Sequence, residues 1–88
     1  MRFEWDENKA RSNRAKHGVD FEAVYAFDFD TALYAIDDAM DYGEERTLAI
    51  GMIGVRVYAL LFTERAEDIR VISLRQATRM EIRKFYGP

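Results

Sequence analysis

The chain has no cysteine, one proline, one tryptophan and one histidine among its 88 residues. Without cysteine there is neither a disulfide framework nor a thiolate zinc site, and a single histidine cannot form a transition-metal cage. No cofactor is called for, and stability has to come from packing. Long apolar runs are missing too. The longest, such as residues 57–62 (VYALLF), fall far short of the roughly 20 residues that cross a bilayer, and the charged opening MRFEWDENK is no signal-peptide core. The expectation is a cytoplasmic protein with no membrane partner. A glycine-rich phosphate loop, a serine elbow and a dinucleotide fingerprint are all absent. What is present is 49% hydrophobic and 14% aromatic, the composition of a folded chain. Because independent cores normally need about 100 residues or more each, residues 1–88 should form one domain.

Net charge is −3, which by itself argues against a nucleic-acid partner. The distribution says more than the sum. Nine acids (Asp20, Glu22, Asp28, Asp30, Asp37, Asp38, Asp41, Glu44 and Glu45) fall within residues 19–45, which contain no Lys or Arg and so carry −9. The flanks hold all 13 Lys and Arg against the remaining seven acids, a balance of +6, and would form a basic surface if they meet in space.

Residues 2–5 alternate like a short strand, and Asp6 stands as the N-cap of a helix ending at Gly18, with Lys16 and His17 in the last turn where the helix dipole favours cations. Lys9, Asn13, Lys16 and His17 recur on one polar stripe of that helix. Asp20 can cap a second short helix whose Phe21, Val24 and Tyr25 would face the core. Residues 31–36, 47–53, 55–63 and 69–75 read as strands, with 37–45 an acidic loop and Gly54 and ERAED as turns. Residues 57–62, apolar on both faces, belong in the middle of the sheet. Thr78 and Glu81 form a capping-box pattern that starts a last helix with Ile82, Phe85 and Tyr86 on one side, Tyr86 expected in the core. The fold class is α+β, a small antiparallel sheet with two N-terminal helices and a C-terminal one.

Chemistry-bearing groups concentrate at Thr63, Glu64 and Arg65 and continue through Arg70, Arg75, Arg79 and Arg83. Guanidinium groups at the N-terminus of the last helix suit a phosphate, whose oxygens they bind in bidentate fashion. The same arginines can instead pair with Glu64, Glu67, Asp68 and Glu81 as surface salt bridges, each worth about 0–1 kcal/mol. His17 is the natural general acid or base near neutral pH, with Lys16 or Lys9 as an alternative proton donor or phosphate contact. Glu64 could serve as a base or orient Arg65. The acidic cluster does not fit a calcium-loop pattern, and Asp28-x-Asp30 is too short to indicate a metal.

At FEWDENKARSNRAKHGVDF (3–21), TER (63–65) and IRVISLRQATRMEIRKFY (69–86) the chain resembles the BrnT family of toxins. The W-D-x-x-K-x-x-x-N-x-x-K-H-G block and the R-x-I-S-x-R-x-A-x-x-x-E-x-x-x-Y-like ending, in this order and at this separation, carry the resemblance. It implies a RelE-like fold and the toxin half of a type II toxin–antitoxin pair: an endoribonuclease neutralised by a BrnA-like ribbon-helix-helix antitoxin, with operator DNA bound only through that antitoxin. Site residues implied by it are Lys16, His17, Glu64, Arg65, Arg75 and Arg79.

The expected reaction is metal-independent attack of a 2′-hydroxyl on the adjacent phosphate of an RNA substrate. Arg65, Arg75 and Arg79 would stabilise the phosphorane, and His17 with Lys16 or Glu64 would move protons. This requires the end of the first helix and the start of the last to converge across the sheet. The other readings are a non-catalytic binding module and an accessory subunit of a DNA-binding repressor complex, the latter disfavoured by the lack of a recognition-helix pattern.

Overall fold

The computed structural model describes residues 2–37 and 44–87. Its elements are β1 (Arg2–Glu4), α1 (Glu7–His17), a 3₁₀ helix (Phe21–Ala26), β2 (Leu33–Asp37), β3 (Arg46–Ile53), β4 (Arg56–Arg65), β5 (Asp68–Gln76) and α2 (Arg79–Tyr86). The strands form one sheet in the order β1-β5-β4-β3-β2, with β4, carrying the doubly apolar 57–62 run, in the middle. Asp38 and Asp41 of the expected acidic loop lie outside the described residues.

Strands β2 to β5 pair antiparallel, as expected, but β1 joins β5 in parallel, so the sheet is mixed. A three-residue alternation identifies a strand without identifying its partner or direction. Entering parallel to β5 carries the chain directly into α1, which runs on along the same edge. There the Asn13 side chain replaces a strand. Its amide nitrogen donates to the Leu74 carbonyl at 2.7 Å and to the Val19 carbonyl at 3.0 Å, and its oxygen accepts from the Leu74 N–H at 3.1 Å. Asn13 is therefore buried rather than part of an exposed polar stripe. Removing it would leave buried backbone groups unpaired, at about 1–3 kcal/mol each.

The caps follow the local sequence. The Asp6 side chain accepts from the Asn8 N–H, Gly18 ends α1 in the left-handed region (φ 71°), and Thr78 and Glu81 exchange both bonds of a capping box. The second segment is not an α-helix but a six-residue 3₁₀ turn. Three residues per turn put Phe21 and Val24 on one face and rotate Tyr25 outward, where it is 66% exposed against the edge of Phe3.

Each sheet face has its own apolar cluster. Phe21, Val24, Phe27, Leu60, Phe62, Val71 and Leu74 pack on one face together with Ala10 of α1. Val57, Ala59 and Ile50 pack on the other beneath Ile82 and Phe85 of α2. Tyr86 is exposed instead of buried, its hydroxyl near the Met52 sulfur, because the eight-residue helix covers only one end of this face. A register shift between Leu61 and Phe62 leaves Ile72 as an extra residue in β5. Consequently Arg70 before the bulge and Arg75 after it, opposite Thr63 and Ala59, point to the same, α2-bearing face.

Candidate functional site

The end of that face not covered by α2 holds a cavity of about 380 Å³ lined by Lys9, Glu44, Arg46, Thr63, Arg65, Arg70 and Ile72. Its four cations come from four elements. Arg46 opens β3, Arg65 closes β4, Arg70 sits in β5, and Lys9 reaches in from α1 past the bulged Ile72. A chain of net charge −3 thus gathers cations in one concavity.

The guanidinium groups are oriented but not saturated. Arg46 donates to Asp37 at 3.0 Å and Arg70 to Glu4 at 3.2 Å, each through one terminal nitrogen. Arg65 donates to Glu44 through Nε and a terminal nitrogen, at 3.0 and 2.8 Å. Hydrogen bonding from Arg65 holds the Glu44 carboxyl below its usual pKa and raises that of Arg65. Because a guanidinium carries five N–H donors, all three retain donors for a further oxygen ligand. Arg46 Nε is buried with no hydrogen-bond partner among the described residues. Lys9 has no ion-pair partner among the described residues.

The residues singled out from sequence divide among four places. Arg65 lines the cavity. Glu64, next in the chain, alternates to the opposite face and lines a neighbouring opening with Glu44, Glu45, Thr47 and Thr63. Arg75 shares the face of Arg65 but is held by Glu81, with bonds of 2.8 and 3.0 Å. That pairing raises the Arg75 pKa and lowers that of Glu81, the side-chain hydrogen bond being the largest cause of each. For this arginine the salt-bridge reading prevails. Arg79 starts α2 beside the pair and has no ion-pair partner among the described residues.

Lys16 and His17 occupy the exposed last turn of α1. Helix and strand run side by side: Lys9 borders Ile72 and Asn13 bonds Leu74, about 6 Å of helix against about 6.6 Å of strand. Extending that match brings Lys16 and His17 level with the end of β5. The two helix termini therefore reach the same end of the sheet, α1 at its edge and α2 on its face. Among the described residues no hydrogen bond or ion pair joins Lys16 or His17 to Arg75 or Arg79.

Sequence reasoning named Lys9, Thr63 and Arg70 without placing them among the site residues and passed over Arg46. Only cross-strand register unites them, and spacing along the chain gives no sign of it. Among the described residues no group of three His, Asp or Glu side chains is placed to hold a metal ion, and no helix is long and apolar enough to cross a membrane.

Residues 5–81 match the family model described as "Ribonuclease toxin, BrnT, of type II toxin-antitoxin system". The chain belongs to this BrnT family. The match spans α1, the cation cavity and the start of α2, and membership of a type II system brings with it an antitoxin partner. A comparison with curated protein sequences finds no match.

Proposed function

We propose that this chain is an endoribonuclease toxin with a RelE-like fold that cleaves RNA by attack of a 2′-hydroxyl on the adjacent phosphate, without a metal, in the cytoplasm. A BrnA-like ribbon-helix-helix antitoxin neutralises it and links it to operator DNA. The observation that carries this reading is the convergence of Lys9, Arg46, Arg65 and Arg70 on one cavity. Those groups hold backbone phosphate and stabilise the phosphorane charge, a task in which one preorganised donor contributes about 2.7–4 kcal/mol in comparable sites. Arg79, with Arg75 held beside it by Glu81, extends the cationic face toward α2 and takes the flanking phosphate. Lys9, the alternative proton donor within the cavity, moves a proton there, a contribution of about 10²–10⁴ in rate. Lys16 and His17, about 10–12 Å further along α1, meet the RNA chain beside Arg79, and Glu64 faces the neighbouring opening.

The test is incubation of purified protein with defined RNA, with and without a chelator, followed by mapping of the new ends. Cyclic or 3′-phosphate ends formed in the presence of chelator support the mechanism. Tight RNA binding with no cut would instead favour a binding module, and cleavage abolished by the chelator would overturn the metal-free step.

A further inference from the structure

The two edges of the sheet are finished differently. The β5 edge is closed by the short β1 and then by the Asn13 amide. The β2 edge has no neighbouring strand among the described residues, and its Leu33, Tyr34 and Ile36 are 44%, 50% and 53% exposed. Ala35 is exposed as well. A row of unpaired backbone groups flanked by apolar side chains is a template for another strand, which proteins ordinarily blunt with lysine, proline or a bulge. None of these interrupts LYAI.

Charge identifies the occupant. Residues 19–45 carry −9 with no cation, and Asp28 and Asp30 stand near Tyr34, whose phenol pKa is raised by burial and then by those two carboxylates. Asp28 is fixed in place by bonds from the Asp30 N–H and the Thr31 hydroxyl. A second copy of this chain would bring the same negative charge to the edge, and like charges oppose such pairing.

We propose that β2 is the docking edge for the protein partner, which adds a strand of alternating apolar and basic residues to Leu33–Ile36. This rests on the antitoxin that the family brings, and not on the RNA chemistry above. Asp37, at the end of β2, holds Arg46 of the cation cavity, so a strand added here lies beside the proposed RNA site.

The test is amide hydrogen exchange of the full chain with a short peptide alternating Val and Lys, against one alternating Val and Glu. The basic peptide should slow exchange of the outward β2 amides by about tenfold at saturation, and the acidic one should leave them unchanged. In Ile36→Lys protein that protection should vanish while RNA cleavage continues. The proposal is overturned by protection confined to other residues, by equal effects of the two peptides, or by a self-associated dimer that protects β2 without peptide. RNA cleavage measured on the same preparation reports separately on the ribonuclease reading, because its loss would not alter the exchange pattern.

Discussion

Two bidentate arginine–glutamate pairs stand on one face of this sheet, and they differ in what surrounds them. Arg75 and Glu81 have side chains 30% and 18% exposed, and Glu81 also closes the capping box of α2, so this arginine serves the fold. Arg65 and Glu44 are 48% and 44% exposed at the mouth of a cavity shared with three further cations. An exposed carboxylate held by one arginine can be displaced by a phosphate that several cations grip together. Similar pair geometry thus has different consequences, and local architecture decides which arginine is available.

The sharpest break of that contrast is kinetic. Arg65→Ala should lower RNA cleavage by about 10²–10³-fold with little change in thermal midpoint. Unchanged cleavage in a folded variant would remove the cavity from the mechanism. Next in size, Glu81→Ala should destabilise the chain by about 1–2 kcal/mol through loss of the cap, whereas Glu44→Ala should leave the melting curve in place. Equal losses from both would erase the distinction between the pairs.

A smaller effect sits beside Arg65. Ala66 turns the β4–β5 hairpin with φ 55°, a left-handed backbone that costs a non-glycine residue about 1–2 kcal/mol, so Ala66→Gly should raise stability by about 1 kcal/mol in denaturant titration. Smallest is a pH effect. The Glu81 carboxyl, depressed chiefly by its hydrogen bond from Arg75, contributes stability that is complete above the ordinary carboxylate range and lost as pH falls through its lowered pKa. The stability gap between wild type and Arg75→Gln should therefore narrow on acidification, as followed by circular dichroism. A gap that is constant with pH would mean that the pair contributes through packing alone.

What could be read in the sequence was local. Asp6, Gly18, Thr78 and Glu81 act within one helical turn, and the hydrophobic pattern of 57–62 reports burial on both faces directly. Readings that depended on tertiary partners went differently. Asn13 looks like one more polar residue on a solvated stripe, and its burial follows from the open edge of β5 sixty-one residues away. Tyr25 misled because a 3₁₀ turn and an α-helix share the spacing of Phe21 and Val24 and diverge one residue later. The arginine cluster was visible, yet the bulge at Ile72 and the pairing of β3 with β4 determine which arginines share a cavity.

The most direct test of that division is an NMR titration of the arginine and lysine side-chain N–H resonances with a 2′-O-methyl RNA oligonucleotide, which binds but cannot be cut. The account predicts the largest shifts at Lys9, Arg46, Arg65 and Arg70. Shifts largest at Arg75 and Arg79, with the cavity residues unmoved, would contradict it.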